Sequence, residues 1–392
     1  MAYDMQGENG TVSLDFIHSI SDNVTGPERL LTNVTKRFVQ PYRVLSKLEQ
    51  LQKELDLVTM PAALSTGIVT NILIVCTFLI TPVGRHPLSI YLTAVGLADL
   101  TFLLCSMILW ISRNVFDIYN HTGMCQLTTY ALFLSTFLGT WYLVSAHLER
   151  CFWQFGQRRR KRWCTKFRSK CIIITIAIFS MVAYLYLLWT HIVRRISRKM
   201  AMCAPMLESM RDLERLRKVE IVFSVFIPMV LIVLMDITLL IKCAADRCFG
   251  ESRTKTTSRS VRMSTRVSAA LVSNGLDLSS ESSAATLVCV ICGIMYVGLL
   301  MPSVYIRAKL SFTSVRKPLD FQLMGLFENL AKFNAVYKFF LYVIFLGSFR
   351  RGLVALFSLC CVSRRRRTNN DHGRSCGCCN KQSPGGQATD FV

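Results

Sequence analysis

The sequence contains little charge, and acidic residues are especially scarce. Asp, Glu, Lys and Arg make up 18% of the 392 residues, whereas roughly 25% is usual for a soluble domain. Only 24 residues are acidic against 46 basic ones, which gives a formal net charge of +22. Such an excess can indicate nucleic-acid binding, but in an apolar chain basic loops beside membrane spans account for it better. The composition therefore argues against a soluble enzyme and against a nucleic-acid partner.

Several other features are missing. Ten prolines and 20 glycines are too few for a collagen-like or low-complexity chain, and no long repeat recurs. Residues 1–57 are polar and lack the apolar core of a cleavable signal peptide, so we expect the first apolar run to insert by itself. No catalytic constellation, phosphate-binding loop or convincing metal-ligand set is present. The sequence predicts a protein that is not an enzyme and holds no metal or cofactor.

Long apolar runs dominate what is present. Hydrophobic residues make up 52% of the chain, and seven runs reach the roughly 20 residues that a helix needs to cross a hydrocarbon core. They predict an all-α membrane protein, with a seven-helix bundle over 58–348 that follows a polar N-terminal tail, 1–57. The predicted spans are Val58–Ile80, Leu88–Ile111, Leu127–Leu148, Cys171–His191, Val219–Ile241, Ala284–Ile306 and Phe321–Leu346.

Two patterns orient these spans. Four N-x-[ST] sequons, which are candidate glycosylation sites, fall on one side of a seven-span chain, at Asn9, Asn23, Asn33 and Asn120. The basic run 158–162, in a loop without any acidic residue, falls on the other side and is typical of a cytoplasmic loop. We therefore expect a multi-pass protein of the plasma membrane with an extracellular, glycosylated N-terminus.

The 16 cysteines do not form an extracellular disulfide scaffold under this topology. Most of them lie inside spans or on the inner face, where thiols stay reduced. Only Cys125, at the start of the third span, and Cys203, in the loop before the fifth, lie at the outer surface. We expect these two to form a disulfide that tethers the loop, with two free thiols as the alternative.

Polar residues inside the spans indicate the kind of bundle. Polar and ionisable groups are costly in hydrocarbon and mark function by default. Asn71, Asp99 and the pair Glu149-Arg150 are such groups, and together they resemble the rhodopsin-like (class A) G-protein-coupled receptors. The spacing from Cys125 to Arg150 matches the family's spacing from its outer cysteine to the Arg of its D/E-R-Y motif. The resemblance implies a receptor that binds an extracellular ligand and activates heterotrimeric G proteins.

The resemblance continues toward the C-terminus. Pro228 and Pro302 lie where the family has its kinking prolines in the fifth and sixth spans, and Tyr342 matches the tyrosine of its last span. Residues 349–361 form an amphipathic pattern that ends in Cys360 and Cys361, as expected for an interfacial helix with palmitoylation sites. Residues 362–392 are expected to be a disordered cytoplasmic tail.

Three positions of the activation machinery depart from the family pattern. Leu300 replaces the sixth-span Trp, Lys338 replaces the Asn of the last-span N-P-x-x-Y motif, and Asp236 replaces the fifth-span Tyr. In relatives, the residues at Asp99 and Lys338 help to line a sodium pocket. We expect an Asp99–Lys338 ion pair in place of sodium, because an unpaired buried charge would be costly. The alternative is that Lys338 extends to the inner interface.

The family's resting and active states predict two partners for Arg150. Glu149 is expected to hold it in the resting state, with the cytoplasmic cavity closed. When the sixth helix moves outward, Asp236 is expected to accept Arg150 in a charge-assisted contact.

The expected ligand is a peptide. Amine receptors of the family carry an Asp at the position of Leu132, so an amine ligand is not expected. Glu328 and Lys332 are pocket candidates on the last span and are spaced to pair with each other. The long leader and the basic, tethered loop suit a peptide, and invertebrate neuropeptide receptors are the best match that we can name.

Other functions stay open at this stage. Lys332 lies where opsins hold retinal as a Schiff base, although the Trp that packs on retinal is replaced by Leu300. A decoy receptor that binds without coupling also fits the altered switch residues, whereas the repeats or broken helices typical of a transporter are missing.

The cytoplasmic segments predict regulatory partners. Serines and threonines among basic residues at 255–268 suit kinases, and the family implies arrestin. The basic run 364–367 suits anionic membrane lipid.

Overall fold

The computed structural model describes residues 47–156, 158, 162–195, 201–257, 268–313 and 317–359. Eight helices and one two-stranded hairpin account for most of them. The helices are α1 (Lys47–Ile80), α2 (Pro87–Asn114), α3 (Met124–Gln154), α4 (Lys166–Thr190), α5 (Met210–Ile221, Val222–Phe226 and Ile227–Thr257 in succession), α6 (Ser268–Phe312), α7 (Pro318–Phe345) and α8 (Gly347–Leu359).

Each predicted span falls within one of the first seven helices or extends one residue beyond its end. Within the described ranges, α1 to α6 are each long and apolar enough to cross a membrane. The segment α7 meets the same criteria together with α8, and the chain bends by 99° between them. Large apolar side chains such as Leu79, Phe179 and Ile344 are exposed on the outside of the bundle, as expected where a helix faces lipid instead of water. The predicted seven-helix membrane bundle is therefore confirmed.

Several helices begin earlier than predicted: α4 begins at Lys166 instead of Cys171 and α6 at Ser268 instead of Ala284, and α1 and α5 have polar extensions. The chain is already helical at Lys47, the first described residue, instead of Val58, so the end of the expected N-terminal tail belongs to α1. The helix α5 starts at Met210 instead of Val219. Both extensions are polar and carry pairs spaced for a helix surface, such as Lys53 with Glu49 at 3.0 Å. A run of apolar residues predicts only the part of a helix that lies in lipid. A polar extension into water has no such run, so the predicted spans did not include it.

The core lies among α2, α3, α6 and α7 with their neighbours. Tyr296 and Tyr342 are each 1% exposed there, and Ile232 of α5 is fully buried. The contact between α1 and α2 is close because Gly67 has no side chain: a methyl group placed on it would lie 2.8 Å from Leu103 Cδ1. Small residues at such crossings let two backbones approach in a membrane.

The helix α7 is interrupted in its middle. Phe333–Ala335 form a short 3-10 turn, which leaves backbone carbonyls without their helical donors. Asn71 of α1 donates from Nδ2 to the carbonyl of Ala335 at 2.8 Å, and Lys338 donates to the carbonyl of Asn334 at 2.8 Å. Side chains of the bundle thus satisfy the freed groups, which is how a broken helix is tolerated inside a membrane bundle. The expectation that the chain has no broken helix is therefore wrong for α7.

The bend between α7 and α8 is held by one arginine and one aromatic ring. Arg350 donates from Nη1 to the carbonyls of Val343 and Ile344, at 3.1 and 2.8 Å, which caps the end of α7. Phe349 is fully buried and packs against Phe78 and Tyr342. Beyond the bend, α8 buries Leu356 and exposes Val354 and Phe357, the arrangement of an interfacial helix.

The loop after α4 forms an antiparallel hairpin. Its strands are β1 (His191–Arg195) and β2 (Ala201–Pro205), and Val193 pairs with Cys203. The predicted disulfide joins Cys203 to Cys125 at the start of α3, with the two Cα atoms 5.6 Å apart. The hairpin is therefore fastened to the outer end of the bundle.

Candidate functional site

At the C-terminal, inner end of α3, opposite the hairpin, the side chain of Arg150 crosses to α6. It is 1% exposed, and its Nη2 donates to the carbonyl of Ser282 and, at 3.3 Å, to Oγ1 of Thr286. Its guanidinium also lies 5.6 Å from the centre of the Trp153 ring. Nη2 of the arginine is thus held by neutral acceptors at the inner end of α6, whereas its buried Nε has no hydrogen-bond partner among the described residues.

The expected contact between Glu149 and Arg150 does not form, so this prediction is wrong for the present conformation. The carboxylate of Glu149 is buried and accepts no hydrogen bond from Arg150. Consecutive residues on a helix point in directions about 100° apart, so a side chain at the next position is not presented to Arg150. The inner end of α6 is presented to it instead.

Two further residues of α3 contact the same place on α6. Trp153 donates from Nε1 to Oγ of Ser282 at 3.1 Å, and Gln154 donates from Nε2 to Oγ1 of Thr286 at 2.9 Å. At this end, the polar contact between α3 and α6 is therefore built on two hydroxyls and one carbonyl of α6. Sequence reasoning missed Ser282 and Thr286, since two common polar residues at the start of a span carry no distinctive pattern.

Asp236 faces His147 of α3. The distance from Oδ1 of Asp236 to Nε2 of His147 is 3.4 Å, and both side chains are buried. The carboxylate of Asp236 fits there because Gly293 of α6 has no side chain. A methyl group on Gly293 would overlap Oδ2 of Asp236. Sequence reasoning missed His147, although an ionisable residue inside a span was a usable signal.

In the middle of the bundle, Asp99 of α2 and Lys338 of α7 form an ion pair. Nζ of Lys338 lies 2.7 Å from Oδ2 of Asp99, and the two side chains are 3% and 9% exposed. Lys338 therefore does not extend to the inner interface, and the alternative is wrong. Because the ammonium also donates to the carbonyl of Asn334, two of its three donors are used inside the protein.

At the outer end, Glu328 and Lys332 do not pair with each other as expected. Glu328 accepts from Arg307 of α6 at 3.0 Å, and Lys332 donates to Oδ1 of Asn329 at 2.7 Å. The spacing of Glu328 and Lys332 permits a pair. Instead, Glu328 pairs with a residue of α6, and Lys332 bonds to a residue of its own helix. Arg307 and Asn329 were not foreseen.

Asn329 connects Lys332 to α1 and α2. Its Nδ2 donates to Oδ1 of Asp56 at 2.6 Å, and the backbone carbonyl of Asp56 accepts from Nε1 of Trp110 at 2.6 Å. Arg113 lies 3.8 Å from the same carboxylate. The outer ends of α1, α2 and α7 are thus joined through Asp56, in the stretch that the sequence assigned to the tail.

The other predicted site residues have the following places. Leu132 and Leu300 are half-buried on α3 and α6, and Leu300 packs against the main core. Pro302 lies inside α6, and the ring of Tyr342 meets Phe78 edge-on at 6.2 Å. Asn9, Asn23, Asn33, Cys360 and Cys361 lie outside the described residues.

The sequon residue Asn120 has a structural role in the outer loops. Its Nδ2 donates to both carboxylate oxygens of Asp117, at 3.1 and 3.0 Å, and its Oδ1 accepts from the backbone N–H of Cys203 at 2.8 Å. Burial raises the pKa of Asp117, but hydrogen bonds from Ser112 and Asn120 outweigh this effect and hold the pKa below its usual value. Asn120 thus links the loop before α3 to the hairpin, beside the disulfide.

This geometry separates two possible roles of Asn120. Asn120→Ala removes both the sequon and the hydrogen bonds, whereas Thr122→Ala removes only the sequon. We expect Asn120→Ala to lower the free energy of unfolding by about 1–2 kcal/mol and Thr122→Ala to leave it unchanged, as measured by thermal unfolding of the purified protein. Equal losses in the two variants would assign the effect to a glycan instead.

Comparison with known proteins identifies the family. The model of the seven-transmembrane receptors of the rhodopsin family matches residues 70–342, which is more than half of the chain and includes the spans with Asp99, Arg150 and Tyr342. The chain therefore belongs to the rhodopsin family of seven-transmembrane receptors. A search of curated proteins found no match.

Proposed function

We propose that this receptor binds an extracellular ligand and activates heterotrimeric G proteins from the plasma membrane, with its N-terminus outside. The observation that carries the proposal is the state of Arg150. It is buried at the inner end of α3, and the acceptors that hold it are on α6. A movement of α6 would free a guanidinium at the cytoplasmic face, where a G protein docks in relatives of the family.

We further propose that the ligand is a peptide, of the neuropeptide type. The hairpin β1–β2 offers backbone and side-chain groups above the bundle, and Arg307, Glu328 and Lys332 bring charges of both signs to its outer half. A peptide carries both signs and hydrogen-bonding backbone groups, so it complements such a surface. The hydrogen bond to Asn329 and the nearby carboxylate of Asp56 stabilise the side chain of Lys332 inside the bundle, so its position there needs no retinal group.

The partners on the inner side are proposals of the same kind. Arrestin and kinases are expected at the cytoplasmic loops and tail, and membrane lipid is expected beside α8, whose exposed Val354 and Phe357 suit an interfacial position. Palmitoylation of Cys360 and Cys361 would add to this anchoring.

The test is a second-messenger assay. Cells that express the chain are screened against a neuropeptide library while calcium and cyclic AMP are recorded. We expect a peptide response that is lost in Arg150→Ala at equal surface expression, because the arginine is needed for coupling. Arg162→Ala is the matched control, since Arg162 is an exposed arginine of the same cytoplasmic side, and it should keep the response.

Two results would contradict the proposal. A peptide that binds the surface of intact cells without any second-messenger change would make the protein a decoy receptor. A light-dependent response after addition of retinal, lost in Lys332→Ala, would make it a photoreceptor.

A further inference from the structure

Among the described residues, His147 is the most completely enclosed ionisable side chain near the cytoplasmic end of the bundle. It is 0% exposed and lies one turn from Arg150 on α3. Its ring is surrounded by groups of three helices: Leu143 of α3, Asp236 of α5 and Cys289 of α6. The contacts that hold Arg150 do not involve this ring.

Each nitrogen of the ring faces an atom that can only accept a hydrogen bond. Nδ1 lies 2.8 Å from the carbonyl oxygen of Leu143. Nε2 lies 2.9 Å from the carbonyl oxygen of Cys289 and 3.4 Å from a carboxylate oxygen of Asp236. A neutral imidazole carries one N–H and satisfies one such oxygen, whereas an imidazolium carries two and satisfies both sides. The acceptors on both sides therefore favour the doubly protonated ring.

A buried positive charge needs a counter-charge, and Asp236 supplies it. Its carboxylate is buried beside the ring and fits against the bare backbone of Gly293. Among the described side chains, other charged groups near this level are Arg150, which is turned to Ser282 and Thr286, and Glu149, which is also buried.

We propose that His147 is held as an imidazolium paired with Asp236, and that this pair locks α3, α5 and α6 together in the resting receptor. The ring joins α6 through the carbonyl of Cys289 and joins α5 through the carboxylate. Outward movement of α6 breaks the Cys289 contact and leaves the imidazolium with fewer acceptors, so the pair opposes activation. This regulatory role rests on the proposed function, whereas the charge state of the ring does not.

The charge state is tested by nitrogen NMR of the purified full chain. The sequence contains 6 histidines, and His147 alone follows an alanine, Ala146. Paired labelling with carbonyl-¹³C alanine and ¹⁵N histidine therefore identifies His147 without any substitution. We expect both ring nitrogens to be protonated at pH 7, because each of them faces a hydrogen-bond acceptor. A neutral tautomer at pH 7 would overturn the proposal.

The lock is tested by a double-mutant cycle on thermal unfolding in detergent. His147→Ala and Asp236→Asn are each expected to lower the melting temperature, and the double variant should fall no further than the worse single one, because the two residues act as a unit. Additive losses would overturn the pairing. Tyr296→Phe is the matched control: it removes a neutral hydrogen bond between α6 and α3, from Tyr296 to Oγ1 of Thr140 at 3.2 Å, and should add to either loss.

Basal signalling gives the regulatory readout. We expect His147→Ala to raise it by about fivefold or more, which is a usual size of coupling between sites, and Tyr296→Phe to raise it less than about twofold. Asp236→Asn is not used for this readout, because it also removes the expected acceptor of Arg150 after α6 has moved outward. An unchanged basal signal in His147→Ala of a receptor that responds to ligand would overturn the regulatory role. If no variant signals and no ligand activates the wild type, the proposed function fails, while the NMR and unfolding results still decide the imidazolium pair.

Discussion

Replacement of Lys338 by methionine is expected to destabilise the receptor by about 3–5 kcal/mol, the usual cost of breaking a buried ion pair. The substitution leaves the carboxylate of Asp99 buried without the ammonium that now lies 2.7 Å away. It also removes the donor to the carbonyl of Asn334 next to the interruption of α7. The free energy of unfolding in detergent measures the loss.

A second substitution tests the cause. Asp99→Asn together with Lys338→Met removes both charges, so most of the loss should be recovered, since neutralising both partners of a buried pair is often nearly neutral. Lys166→Met, at an exposed lysine that begins α4, is the control and should change stability little. A double variant as unstable as Lys338→Met would mean that the ion pair is not the reason.

The same pair bears on sodium. If the ammonium of Lys338 replaces the ion, the melting temperature of the wild type should be the same in sodium and in potassium chloride at equal ionic strength. A clear stabilisation by sodium alone would argue that an ion still enters the site beside Asp99.

Loss of the disulfide is the other large effect that we expect. Cys203→Ala should lower the stability of the outer half of the bundle by about 2–5 kcal/mol, the range found when native disulfides are removed, because the bond spans a sequence separation of 78. It should also abolish the ligand response, since the hairpin would no longer be fastened above the pocket. Thermal unfolding and the second-messenger assay measure the two effects.

The pairing of the two cysteines can be checked in the same experiment. Cys125→Ala and the double variant should both resemble Cys203→Ala, because each of them removes the same bond. Cys171→Ala, at an exposed free cysteine of α4, should behave like the wild type. A full ligand response in Cys203→Ala would show that the hairpin is positioned by Asn120 and the strand contacts alone.

The acceptors of Arg150 determine how strongly this residue holds α6 against α3. Hydroxyls and a backbone carbonyl hold the guanidinium on α6, and neutral acceptors bind an arginine less strongly than a carboxylate does. The buried pair of His147 and Asp236 lies one turn away and, on our proposal, carries the charge in the contact between these helices. Asp236, where the family has a Tyr, thus has a neighbouring polar side chain on α3, that of His147.

Sequence reasoning succeeded where a local property decides the outcome. The spans were predictable because hydrocarbon requires a run of apolar residues about 20 long, whatever the neighbouring helices are. The disulfide was predictable because topology left two cysteines on the outer side. The pair of Asp99 with Lys338 was predictable because burial makes an unpaired charge costly and the family resemblance placed both residues at one level of the bundle.

The tertiary structure decided which partner each remaining polar side chain has. From the sequence, Arg150 was assigned to Glu149 and Glu328 to Lys332, both neighbours along the chain, whereas the bundle gives Arg150 to α6 and Glu328 to Arg307. The direction in which a side chain points depends on how its helix is rotated and packed against the others, and that rotation comes from contacts between segments far apart in sequence. The sequence by itself therefore determined which helices exist and which charges must be paired. The packing of the helices determined which residue is the partner of each charge.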